Sequence, residues 1–470
     1  MMKDNIRVIR SLVVSGAEGN FRMTQAGAAI ILFLAAALLL APFLVRGDEM
    51  KIEWDDYIEV ARDEAYRGPW RMNQSDWSFV DDPAVALTDQ GQAGVAWVDQ
   101  AQQDIFFQIF APGGQPRFSE PVNVSRSPEI FSWLPRVIMT TEEPEKVFIL
   151  WQEIVFSGGS HGGEIFFSRS EDGGRTFSTP LNLSNTIAGA GKGRLIEEIW
   201  FNGSLDLARS TDDGTLYAAW TEFEGALYFS RSIDQGKSFS PPMIIAGEEG
   251  TLPARGPRLA AGPEGEIHLV WTVGEDPAAD VHYARSTDQG RTFTSPRNIV
   301  PSDNHSDAPR VALDSAGSIH LVYTEGLSGP LQEFQVRYSR SEGDELFSEP
   351  RRIPDGDVEI SAGQGFPDLG LDGRDTVYIL WELFPEEEFS RPLGLGISFS
   401  SDRGKTFSPA VRVPGTHDPD LGFNGGLQGL FMNKLAVNSE GELAVVNSTF
   451  QEGGYSRIRL IRGRVGQADH

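Results

Sequence analysis

One eleven-residue pattern recurs through the chain and restricts its folding more than any other feature. It runs over residues 168–178 (SRSEDGGRTFS), 230–240 (SRSIDQGKSFS), 284–294 (ARSTDQGRTFT) and 398–408 (SFSSDRGKTFS). A worn copy covers 339–348 (SRSEGDELFS), and a trace survives at Arg117, Phe118 and Ser119. The shared core is Ser-x-Asp-x-Gly-x-(Thr/Ser)-Phe. Its aspartates are Asp172, Asp234, Asp288 and Asp402. Each carboxylate can accept hydrogen bonds from backbone N–H groups just ahead of it and close a turn. The glycine permits a positive φ. The phenylalanine is an apolar plug between layers. Strand-like runs flank each copy, such as Glu164-Ile165-Phe166-Phe167 before the first and Pro180-Leu181-Asn182-Leu183 after it. Each copy is therefore read as a structural corner between two strands.

The corners belong to a longer unit of roughly 50–60 residues. A unit opens on Pro-x-apolar, as at Pro83-Ala84-Val85, Pro135-Arg136-Val137, Pro257-Arg258-Leu259, Pro309-Arg310-Val311 and Pro367-Asp368-Leu369; the third opens on Leu205-Asp206-Leu207. An apolar strand follows and ends on an aromatic residue: Trp97, Trp151, Trp220, Trp271, Tyr323 or Trp381. A third strand, the box and a fourth strand complete it. Four antiparallel strands per repeat predict an all-β chain folded as a β-propeller. Six units are complete. A seventh, partial one runs from Lys434 to Val465, and a strand near 76–80 would complete it. Seven blades are expected, with six as the alternative. The assigned segments are a tail (1–22), an apolar span (23–45), a linker (46–80, with a short helix over 51–67) and the propeller (81–466).

The motif is the Asp-box, or BNR repeat, and over roughly 81–466 the chain resembles the sialidase-like β-propeller superfamily. That resemblance implies a six-bladed ring and three arginines clamping a sugar carboxylate. It also implies a tyrosine nucleophile paired with a glutamate, and an acid. Arg136, Arg258 and Arg310 match such a cluster in kind, and they also match a repeat consensus in which each arginine pairs with a glutamate of its own blade. The family's Phe/Tyr-Arg-Ile-Pro near the first blade is absent, and Leu134-Pro135-Arg136-Val137, with the proline on the wrong side, stands nearest to it. For the catalytic roles the candidates are Asp206, Glu222 and Tyr455, with Asp368 as a second acid.

Strand polarity places these candidates. The first strand of a unit starts beside the end of the second, so Pro-Arg starts and Trp ends share one face and the boxes lie on the other. Candidate substrate-binding residues on the former face are the three arginines with Glu153, Glu325, Trp133 and Trp200; Glu382 is similar to the glutamates. His161, His305 and His417 come from three loops on this side, without a spacing that marks a metal site. No metal or cofactor is expected.

The chain has 40 Lys+Arg against 67 Asp+Glu, a net charge of −27. That excludes nucleic acid or an anionic membrane surface as the main partner. With no cysteine, thiol catalysis and disulfides are excluded too. Residues 23–45 carry no charge and are long enough to cross a bilayer. Lys3, Arg7, Arg10 and Arg22 precede them, which predicts a single-pass anchor with its N-terminus cytoplasmic and the propeller outside; a cleaved leader is the alternative. Two functions are compatible with these features. One is a propeller that binds glycan or protein without catalysis. The other is an exo-sialidase-type glycoside hydrolase.

Overall fold

The second strand of each unit is apolar on both faces, as in Val147–Glu153 (VFILWQE), where all seven residues are buried. Such a strand must be covered on both sides, so each sheet packs between two others. The computed structural model describes residues 50–466 apart from 72, 143, 155–162, 186–191, 197–198, 203–204, 223–224, 249, 275–278, 328–332, 343–345, 357–361, 386–391, 418–423 and 426–432. Among the described residues no helix is long and apolar enough to cross a membrane; the 23–45 span lies outside them.

Sheet I comprises Val80–Leu87, Ala93–Asp99, Asp104–Phe110 and Val122–Asn123. Sheet II is built from Ser132–Met139, Val147–Glu153, Glu164–Ser170 and Leu181–Asn182. Leu205–Arg209, Leu216–Thr221, Leu227–Ser232 and Met243–Ala246 form sheet III. Sheet IV has eight strands: a meander from Ala254–Ala261 to Arg297–Asn298 and a second from His305–Leu313 to Arg351–Arg352. Sheet V runs from Ala362–Leu371 through Val377–Pro385 and Gly394–Ser400 to Val411–Arg412. Sheet VI joins Leu435–Val437, Glu442–Phe450 and Tyr455–Gly466 to Lys51–Trp54 and Ile58–Glu64. The first strand of each meander neighbours the next in turn, and Leu435–Val437 returns to Val80–Leu87, which closes a ring.

Three expectations are corrected here. Seven separate blades, or six, are not what the structure has: among the described residues five blade sheets stand free, and sheet IV is continuous because Ala279 pairs in parallel with His305. Residues 51–67 form strands, not a helix; the alternation of Ile58–Glu64 covers the edge of Tyr455–Gly466 from Ile58↔Leu460 to Glu64↔Tyr455. These N-terminal strands, rather than one near 76–80, complete the last sheet, while Trp77–Ser78 pairs with Tyr66–Arg67. One sheet thus draws on both ends of the described chain.

The boxes pin sheets to one another. In the third, the Asp288 carboxylate accepts from the Ser286 hydroxyl (2.8 Å), the Thr292 amide (2.9 Å) and the Thr292 hydroxyl (2.7 Å). The same set recurs at Asp172, Asp234 and Asp402. Each box phenylalanine then packs edge-on against a ring from the preceding meander. Phe177 meets Phe107, Phe239 meets Phe167, Phe293 meets Phe229 and Phe407 meets Tyr338. The Thr292 hydroxyl, ahead of the burial that opposes it, draws the Asp288 carboxyl down to about 2. A depressed folded pKa contributes stability above the unfolded value of about 4, lost as pH falls through about 2. We expect Asp288→Ala to cost about 1 kcal/mol near neutrality, the scale of one net hydrogen bond at an exposed corner. Melting curves from pH 5 downward should show a smaller acid-induced fall in the variant than in the parent.

Candidate functional site

The prolines that open the units sit inside strands, where their missing N–H would break a ladder. The structure resolves this with a repeated β-bulge. The residue before each proline has a positive φ: Asp82 (51°), Leu134 (57°), Gly256 (59°), Ala308 (53°) and Phe366 (51°). Pairing with the second strand slips at each of these points. The bulge takes the proline out of the ladder and re-aims the residue after it.

In the ring of first strands those re-aimed residues are Ala84 and four charged ones, Arg136, Arg258, Arg310 and Asp368. Asp206 and Lys434 occupy the matching positions in sheets III and VI. All six charged residues are at least nine-tenths buried. Arg136 Nε lies 3.7 Å from Asp206 Oδ1, and Asp206 Oδ2 accepts the Leu259 amide at 2.8 Å. The arrangement repeats further round the ring. Arg310 Nε lies 3.6 Å from Asp368 Oδ1, and Asp368 Oδ2 accepts the Lys434 and Leu435 amides at 2.8 and 3.0 Å. Arg258 donates to the Leu205 and Pro257 carbonyls, and Lys434 pairs with Glu382. Each aspartate therefore ties one first strand to the next.

The three arginines are close enough to act on one another. Burial lowers the pKa of Arg258 well below its ordinary value, and Arg310 and Arg136 press it further down. Burial also takes Arg136 to about 10, with Asp206 holding it up and Arg310 opposing. Lys434 falls to about 8 through burial, against the pull of Asp81, Asp82 and Asp368. Three arginines that repel one another are of the kind a carboxylate clamp uses, but Arg136 and Arg310 already hold carboxylates of neighbouring strands. Among the described residues the carboxylates that Arg136 and Arg310 meet are these aspartates, not glutamates of their own blades, the other arrangement open in the sequence.

The remaining candidates are dispersed. Asp206 is no free acid, being held by Arg136 and the Leu259 amide. Glu222 is half-buried against Tyr228, whose pKa is raised by burial and by that carboxylate. Tyr455 is 49% exposed at the start of an outer strand, with the Arg62 guanidinium 3.8 Å over its ring. It therefore does not complete a nucleophilic site with the axial arginines. Glu153 is buried and accepts from Trp151 Nε1 at 3.0 Å. Glu325 pairs with Arg337 of the same meander at 2.6 Å. Trp133 is not an open stacking surface. It is 3% exposed among Trp70, Trp77 and Phe131, under the strand pair of Tyr66–Arg67 and Trp77–Ser78. Trp200 pairs through its backbone with Leu195, and its side chain lies outside the described residues, as does His161. His305 contacts Arg255 Nη2 at 3.3 Å, and His417 Nδ1 lies 2.6 Å from the Leu393 carbonyl. Among the described residues no three acidic or histidine side chains are placed to hold a metal.

Sequence reasoning passed over Asp82, Lys434 and the Arg255–Asp307 pair, which is 3.1 Å long and buried. The available signal was register: Lys434 precedes Leu435-Ala436 as Arg310 precedes Val311-Ala312.

No protein-family model and no curated protein matches the chain. Several solved structures share its fold. The polysaccharide lyase Uly1 aligns over 88% of this chain and 99% of its own, at 12% identity and a TM-score of 0.54. A PL25 ulvan lyase bound to -[GlcA(1-4)Rha3S]- aligns over 88% and 96%, at 13% and 0.51. A protein of unknown function from Dyadobacter fermentans aligns over 88% and 99%, at 14% and 0.50. At such identities the likeness is one of fold. The chain is a β-propeller, the architecture it shares with these structures.

Proposed function

We propose that this chain is a glycan-binding β-propeller that takes its ligand on the face opposite the Asp-boxes and does not cleave glycosidic bonds. The observation that carries this is the commitment of Arg136 and Arg310 to Asp206 and Asp368. A clamp for a substrate carboxylate needs guanidinium groups whose counter-ion is the substrate. Support for glycan over protein comes from the fold neighbours, two of which are polysaccharide lyases by name. Fourth strands end and first strands begin on the proposed face. With a net charge of −27, uncharged polysaccharides should bind better than acidic ones. Residues 23–45 would hold the propeller outside a membrane with the N-terminus in the cytoplasm; resistance of the full-length protein to alkaline extraction of membranes tests that part.

For the purified full-length protein we expect no turnover of a fluorogenic sialoside, by the parent or by Arg258→Ala. Affinity electrophoresis in neutral polysaccharide should retard the parent. Sialoside hydrolysis that Arg258→Ala abolishes would instead establish the exo-sialidase alternative. Unretarded migration in every polysaccharide would leave a protein as the ligand.

A further inference from the structure

The ring closes where sheet I meets sheet VI, and two adjacent carboxyl groups are buried in that seam. Asp81 and Asp82 are 1% and 0% exposed. Around them the seam is tied by directed hydrogen bonds. The Ser448 hydroxyl donates to Asp81 Oδ1 (2.7 Å), the Val80 amide to the Ser456 hydroxyl (2.9 Å) and the Val85 amide to the Asn433 carbonyl (3.1 Å). Asp82 occupies the bulge, with φ at 51°; the Leu134 amide acts on its carboxyl, but neither oxygen has a partner at full hydrogen-bond geometry among the described residues.

We propose that Asp82 of this carboxyl pair holds a proton at neutral pH while Asp81 accepts from Ser448, and that this proton keeps the first and last sheets of the ring joined. Two neighbouring carboxylates cannot both ionise cheaply out of water. The cations that face Asp82 are Arg136 and Lys434, and each already serves another carboxylate, Asp206 and Glu382 respectively. Arg67 faces Asp81 and is shared with Glu452, and Lys434 faces Asp81 as well as Asp82. Burial first, then Asp81, raises Asp82 far above the ordinary carboxylic range, against the Leu134 amide, Arg136 and Lys434. The sign of the linkage follows. A carboxyl whose folded pKa is raised supports the fold fully below its unfolded value, and that support is lost as pH rises through the folded value. Lys434, whose pKa is lowered to about 8, works in the opposite sense, since its unfolded form binds more protons above that pH. An alkaline loss of stability at the seam therefore points to the carboxyl pair.

The test uses the full chain. Infrared difference spectra between parent and Asp82→Asn at pH 7 should show a protonated-carboxyl stretch in the parent alone. That band should titrate away as the pH is raised. Thermal melts from pH 6 to 10 should show an alkaline fall in Tm for the parent, most of which disappears in Asp82→Asn. If Asp82→Asn does not fold, the parent's own infrared titration decides. Absence of the protonated band at pH 7, or an equal alkaline fall in parent and variant, would overturn the proposal.

Discussion

Asp368→Ala is expected to lower the unfolding free energy by about 3–5 kcal/mol, the range for breaking a buried ion pair from one side. The substitution removes the acceptor of two backbone amides in the following first strand, at Lys434 and Leu435, as well as the counter-ion of Arg310. Arg310 is 7% exposed and cannot recover the loss from bulk water. Among the described residues Arg310 also donates to the Pro367 carbonyl and the Asn433 side chain, which carry no charge. Denaturant unfolding monitored by tryptophan fluorescence measures the change. Asp206→Ala should behave in the same way, since Asp206 joins Arg136 to the Leu259 amide. A mild effect on stability would remove the grounds for treating these aspartates as structural links.

Gly404→Ala should be nearly as damaging, at about 2–5 kcal/mol from left-handed backbone strain and overpacking together. Gly404 has a φ of 76°, and a Cβ placed there would run into the Tyr338 hydroxyl of the preceding meander. That hydroxyl cannot swing aside freely. It lies 2.8 Å from His320 Nδ1, and the tyrosine ring packs edge-on against Phe407 at 4.8 Å. Gly174, Gly236 and Gly290 face Phe107, Phe167 and Phe229 in the same way. The box glycine thus does two things, permitting the turn and admitting the neighbour's ring. Thermal denaturation of Gly404→Ala checks the size of the effect, and a Tm within a degree or two of the parent would contradict it.

Much of this architecture can be read from residues alone, because its causes are local. The Asp, Gly and Phe of each box act within a few positions or on the adjacent sheet, and the aromatic strand ends are buried wherever they occur, as at Trp151, Trp220 and Trp271. The closure could not be read this way. Residues 51–64 are polar and carry six acids, so their composition suits a linker or helix, and only pairing with Tyr455–Gly466 makes them strands. The charged axis was half visible. Register marked Arg136, Arg258 and Arg310 as equivalent, but a repeat consensus does not tell whether an arginine faces a ligand or the next strand. The bulge decides that. Its sequence sign, a proline within an apolar strand, was present in five units and read only as a strand start.

A double-mutant cycle on Arg310 and Asp368 addresses the central point, that the axial charges hold the ring together rather than wait for a substrate. Arg310→Met, Asp368→Leu and the double variant would be unfolded in denaturant beside the parent. We expect a coupling energy of about 1–3 kcal/mol, with the double variant more stable than the sum of the single losses implies. Additive losses, agreeing within about 0.5 kcal/mol, together with loss of ligand binding in Arg310→Met alone, would show instead that the guanidinium serves a ligand.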